Sequence, residues 1–84
     1  MYWDVVSVNP VNYLELEVKF LDGLAGRVKI HPSYLTGVFE PLQDQEYFKQ
    51  VYVDHGVVTW PGELDLAPDA MYHKIKTNGE WIIH

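Results

Sequence analysis

The clearest signal in the chain is a strict alternation from Tyr13 to Phe20. Leu14, Leu16, Val18 and Phe20 fall on one side, and Glu15, Glu17 and Lys19 on the other. Successive side chains of an extended strand point to opposite faces, so this period predicts a half-buried β-strand. Val5 to Val8 reads as a shorter β-branched strand that stops at Asn9-Pro10, where proline removes a ladder donor. Arg27 to Ile30 alternates again, with Val28 and Ile30 inward and Arg27, Lys29 and His31 outward. Between the second and third strands, Asp22-Gly23 is a hairpin signal, because a type I′ turn needs positive φ at both central residues. A plain two-residue turn would set Val18 against Arg27 and mix the two faces, so one residue has to be absorbed. A bulge at Gly26 or a three-residue loop would do this, and either is expected to bring Glu17 opposite Lys29.

Past His31-Pro32 the period changes. Ser33 to Thr36 reads as a short helical turn ended by Gly37, and Val38 to Leu42 as irregular chain. Asp44 can cap a short helix running to about Gln50, with Phe48 and Val51 toward the core. Val51 to Asp54 and Val57 to Trp60 form a second hairpin around His55-Gly56. Thr59-Trp60-Pro61-Gly62, followed by Asp65-Leu66-Ala67-Pro68-Asp69, marks the end of a strand and the start of a helix. Pro68 suits its first turn, Asp69 complements its dipole, and Met71, Tyr72 and Ile75 make its buried stripe. The fold class is therefore α+β: a single domain over residues 1–84, with a small antiparallel or mixed sheet of about five strands and two to three short helices on one face.

Composition sharpens this picture. With 48% apolar and 14% aromatic residues the chain has the bulk needed to fold. At 84 residues it buries only about 60–65% of the surface that its unfolded form exposes, so association with a partner would help it. The absence of cysteine excludes disulfides and thiolate ligands and fits a reducing, cytoplasmic location. Met1-Tyr2-Trp3-Asp4 has no basic segment before an apolar run, and no stretch approaches the roughly 20 apolar residues of a membrane span. Neither export nor membrane insertion is expected. Twelve acidic residues against six basic ones give a net charge of −6, which repels a phosphate backbone and attracts basic surfaces. The implied partner is a protein, and nucleic-acid binding by this chain alone is disfavoured.

No constellation in the sequence assigns a chemistry. His31, His55, His73 and His84 are spaced like no helical or loop ligand set, so no metal is expected, and no other cofactor. Asp69 lies one helical turn before His73 and can pair with it. Ser7, Ser33, Thr36, Thr59 and Thr77 stand in no activating motif. Asp54-His55 belongs to a turn, and Asp65 and Asp69 read as capping residues, so no catalytic residue is assigned. The scattered glycines make no phosphate-cradling loop. The aromatics Trp3, Trp60 and Trp81, with Tyr2, Tyr47, Tyr52 and Tyr72, exceed what so small a core needs, and surface aromatics favour protein contacts. Candidate partner-binding residues are Trp3, Trp60, Tyr72, Trp81 and Ile83. Trp60 has a competing place beneath the final helix. Trp81-Ile82-Ile83 either folds back as an edge strand or docks on a partner, and a homodimer through a sheet edge or this tail is compatible.

Several short motifs stand in a characteristic order and spacing: Val8 and Pro10; Phe20, Asp22, Gly23 and Gly26; Pro32 and Leu35; Gly37-Val38-Phe39 with Pro41-Leu42; Asp44 and Phe48; Val51, Val53 and Gly56; Trp60-Pro61; Asp65-Leu66, Pro68-Asp69 and Tyr72. On these, from Val6 to about Tyr72, the chain resembles the small bacterial family known as domain of unknown function 2442. The resemblance implies a compact α+β domain and brings no established activity and no catalytic residues. Some relatives carry a C-terminal helix-turn-helix domain, and others look like the antitoxin of a two-gene module. With the sequence running only to His84, no such DNA-reading domain is expected. The expectation is a non-enzymatic interaction module, an antitoxin-like partner of a basic protein toxin. The alternatives are a transcription-related regulatory domain and a small hydrolase using Asp54, His55 or Asp65.

Overall fold

The computed structural model describes residues 1–84 and shows an α+β fold built on two small sheets instead of one sheet of about five strands. The first sheet holds β1 (Val5–Asn12), β2 (Glu15–Phe20), β3 (Ala25–Ile30) and β7 (Glu80–Ile83), in that spatial order. The second holds β4 (Tyr52–Asp54), β5 (Val57–Trp60) and β6 (Leu64–Leu66). Between the sheets in sequence come two 3-10 segments, Pro32–Tyr34 and Gly37–Gln43, and the short helix α1 (Gln45–Phe48); α2 (Pro68–Asn78) precedes β7.

The alternating stretch behaves as its period requires: Leu16, Val18 and Phe20 are buried, as are Val28 and Ile30 across the ladder. Leu14 is also buried, but from the tight β1–β2 turn, where its φ is +62°. β1 does not stop at Asn9. It runs through Pro10 to Asn12, because it is the edge of its sheet and a missing donor on an open side breaks no ladder bond.

The β2–β3 register corrects the expected one. Phe20 and Leu24 close a three-residue loop of Leu21, Asp22 and Gly23, in which Asp22 Oδ1 accepts from the Leu24 N–H at 2.9 Å. Glu17 therefore lies opposite Arg27 and Glu15 opposite Lys29, so the expected Glu17–Lys29 pair does not form. There is no bulge at Gly26, which pairs in register with Val18.

In the second sheet the His55-Gly56 turn forms as expected, with φ of +50° and +81°. The strand β6 lies in a stretch read as the approach to the helix. Asp65 accordingly faces out from a strand, opposite Thr59, and caps nothing. The N-cap of α2 is Ala67, which makes no side-chain bond; Pro68 fills the first turn with Asp69, and the helix ends at Gly79, whose N–H reaches the Ile75 carbonyl at 2.7 Å. No Asp69–His73 ion pair forms; His73 instead packs its ring edge-on to Tyr72.

Val38 to Leu42, expected to be irregular, belongs to a 3-10 helix that delivers a fully buried Leu42. Asp44 caps α1, its carboxylate accepting from the Glu46 and Tyr47 N–H groups at 2.9 and 3.4 Å. The Trp81 tail folds back as β7, parallel to β3, the long crossover between them being the second sheet and α2. One apolar cluster joins the inner faces of both sheets to Met71, Tyr72 and Ile75 of α2.

Candidate functional site

The outer face of the first sheet carries the residues that would form a basic patch, and they are neutralised. Arg27 binds Glu15 at 2.6 Å and Glu17 at 3.6 Å, and Lys29 binds Glu80 at 3.1 Å. The Arg27 guanidinium holds the Glu15 carboxyl below the usual carboxylate range, and Glu15 in turn raises Arg27. Lys19 completes a face of three basic and three acidic groups.

The surplus negative charge lies elsewhere. Residues 37–66 contain Glu40, Asp44, Glu46, Asp54, Glu63 and Asp65, with Lys49 as the single lysine and no arginine. In the fold, Glu63 and Asp65 line one groove of about 610 Å³ between the Gly37–Gln43 segment and the Pro61-Gly62-Glu63 turn that links β5 to β6, and Glu40, Asp44 and Asp54 line depressions that share residues with it. Val38, Phe39, Pro41, Pro61 and Leu64 supply its apolar surface, and Val38 is 74% exposed. Glu63 and Asp65 also line a second depression, shared with Asp54. A further depression, which shares Pro41 with the groove, holds Glu40 and Asp44.

Local bonding fixes the walls. The Tyr47 hydroxyl of α1 donates to the Pro61 carbonyl, which ties the helix to the β5–β6 turn. Gln43 Nε2 donates to the Leu35 carbonyl at 3.1 Å, and the Tyr13 hydroxyl is shared between the Leu42 and Gln43 carbonyls at 3.1 and 3.0 Å. Turns stitched in this way keep their shape without a ligand, so little ordering entropy is lost when one binds.

The partner-binding candidates from the sequence do not come together here. Trp60 is fully buried, packed on Phe48 and donating Nε1–H to the Phe48 carbonyl at 2.9 Å. Tyr72 and Ile83 are also buried, so these three side chains serve the core and have no surface to offer, which corrects their assignment. Part of the aromatic excess is taken up by the core, where two small sheets and a helix meet and bulky rings fill the space between them, while Tyr2 and Tyr52 stay exposed. Trp3 and Trp81 are partly buried against the same core. The groove residues were missed because Gly37-Val38-Phe39 and Trp60-Pro61 read as turn chemistry. The available signal was an apolar Val38 set in a loop.

The residues considered for hydrolysis do share the second depression. Asp54 Oδ1 lies 2.7 Å from His55 Nδ1, and Asp65 and Thr59 line the same surface. The imidazole is 95% exposed, however, and the Thr59 hydroxyl donates to the Val57 carbonyl at 3.0 Å. Neither hydroxyl activation nor exclusion of water follows from this arrangement. Of the histidines, His31 and His84 approach to 6.3 Å between ring centroids, while His55 and His73 sit on other elements.

Fold and surface define a small two-sheet α+β domain with an acidic, apolar-walled groove. Residues 5–77 match the family model described as Protein of unknown function (DUF2442), and the chain belongs to that family. No curated protein and no solved structure matches it. No helix is long and apolar enough to cross a membrane.

Proposed function

We propose that the chain is a non-enzymatic protein-interaction module of the cytoplasm whose acidic side receives a basic protein, in the manner of an antitoxin masking a basic toxin. The observation that carries this reading is the segregation of charge: ion pairs cancel the outer face of the first sheet, and six carboxylates against one lysine occupy residues 37–66. A surface of one sign steers an oppositely charged partner and speeds encounter. The same ion pairs count against a transcription-related role that needs a free cationic face, and the open setting of Asp54 and His55 counts against a hydrolase.

Co-expression with the product of the adjacent gene is the direct test. A complex that survives size exclusion at micromolar concentration and dissociates as salt rises supports the reading; no complex at that concentration sinks it. A homodimer through the open edge of β7, where Ile82 is 49% exposed, is compatible with this role. Light scattering at twice the chain mass, reduced to one by Ile82→Lys, supports it, and a monomeric wild type removes it.

A further inference from the structure

Resting on that reading, we propose that the groove between the Gly37–Gln43 segment and the Pro61-Gly62-Glu63 turn is the docking seat. Its occupant is an extended basic segment of the partner, an apolar anchor flanked on both sides by arginine or lysine. Three features of the molecule select this occupant.

The first is the groove's own chemistry. Its walls are a valine, a leucine, a phenylalanine and two prolines, and proline offers no N–H with which to hold a polar ligand. Val38 projects into solvent from a 3-10 segment in which Leu42 is buried and Phe39 is packed partly against the core, so Val38 does nothing for the core. An apolar side chain of the partner removes this surface from water.

The second is the placement of charge around the groove. Carboxylates accompany both walls, Glu63 and Asp65 on the side of the turn and Glu40 and Asp44 beside Pro41 on the side of the 3-10 segment, with apolar surface in the groove itself. The complementary ligand carries positive charge, then an apolar side chain, then positive charge. Such pairs act within a Debye length of about 8 Å at physiological salt, so both sets of carboxylates contribute at short range and weaken together as salt rises.

The third is what the surface repels. A phosphate backbone meets only carboxylates here, and a second copy of the chain brings its own net charge of −6 to the contact. Neither nucleic acid nor self-association fits this face.

The test uses the isotope-labelled full chain and a short synthetic peptide with a leucine pair between arginine pairs. Control peptides carry serine for leucine or glutamate for arginine. Saturable amide shifts at Val38, Tyr47, Gly62 and Asp65 with the arginine–leucine peptide, and much weaker ones with either control, are expected. Val38→Ser, at an exposed position, should weaken binding roughly five- to tenfold with the thermal midpoint unchanged. Asp65→Asn should weaken it roughly two- to fivefold at low salt and less at high salt. Salt-sensitive shifts confined to other surfaces overturn the groove while leaving a basic partner in place. A serine peptide that binds as well as the leucine peptide overturns the apolar anchor. No response to any cationic peptide at low salt overturns both this site and the proposed function.

Discussion

Gly26 offers a test in which the sign alone decides. It lies on β3 between the outward residues Ala25 and Arg27, and α2 crosses directly above it. A Cβ at this position would stand 2.5 Å from Ile75 Cγ2, 3.3 Å from Ile75 Cγ1 and 2.8 Å from the carbonyl oxygen of Gly79. Carbon atoms pack best at about 3.5–4.0 Å, so helix and strand would have to part by about 1 Å. Ile75 is buried and the Gly79 oxygen belongs to the backbone, so neither can swing aside cheaply. Overpacking of this kind costs about 1–3 kcal/mol. Alanine also restricts the unfolded chain, which returns about 0.4–1 kcal/mol where the backbone is unstrained. The clash wins, and Gly26→Ala should lose about 1–2 kcal/mol, which for a domain of this size lowers Tm by about 5–15 °C. Gly26→Val should lose more. Thermal and urea unfolding of the three proteins, followed by circular dichroism, measures the series. Strand propensity on its own ranks valine above alanine above glycine. If the variants follow that order, or if alanine is merely neutral, the close approach of α2 is not what holds this position.

Tyr72 donates its hydroxyl to Asp22 Oδ2 at 2.5 Å, which raises Tyr72 from its ordinary 10.0 to about 12 and lowers Asp22, the Leu24 N–H adding to the latter effect. A raised tyrosine favours the protonated fold, so this stability is whole below pH 10 and fades toward 12; a lowered aspartate stabilises above its ordinary 3.8 and fades as pH falls further. Ultraviolet titration should show a late tyrosinate step that Tyr72→Phe abolishes, and the variant's stability should fall less at both pH extremes than the wild type's. Asp44→Ala removes the cap of α1 and should cost about 1 kcal/mol, with Asp44→Asn close to neutral, both read from chemical unfolding. Trp60→Phe strands the buried Phe48 carbonyl and leaves a void, so about 2–4 kcal/mol should be lost; a change below 1 kcal/mol would mean that Trp60 is not the core residue its burial implies.

The α+β class, the two central hairpin strands of the first sheet, the His55-Gly56 turn, the Asp44 cap and the buried stripe of α2 were legible because each rests on local rules of period, turn or cap. What could not be read was non-local or too short. β6 spans three residues, fewer than any alternation needs to declare itself, and it hides beside the helix signals of Pro68 and Asp69. The parallel pairing of β7 with β3 joins residues from opposite ends of the chain. The 3-10 helix through Pro41 lacks a helical hydrophobic period, yet it places Leu42 in the core. The groove was harder still, since it is assembled from a 3-10 segment, one side chain of α1 and the β5–β6 turn, each of which looks like ordinary punctuation by itself.

The β2–β3 register, by contrast, was readable from charge. The expected slip would have set Lys19 opposite Arg27, and like charges directly across a ladder repel. The slip in the other direction sets Arg27 opposite Glu17 and within reach of Glu15, Lys29 opposite Glu15, and Lys19 opposite the uncharged Ala25. Both slips keep apolar side chains inward, so cross-strand electrostatics, though only a few tenths of a kcal/mol per pair, separates them. The choice has a functional consequence. In the expected register Lys19 and Arg27 would stand side by side as a cationic spot on the open sheet face. In the observed one every cation of β3 is matched, with Glu80 of β7 taking Lys29, so that face is electrically quiet. The negative charge of the molecule is then felt mainly across the groove side, where a basic ligand meets no competing positive surface on the approach.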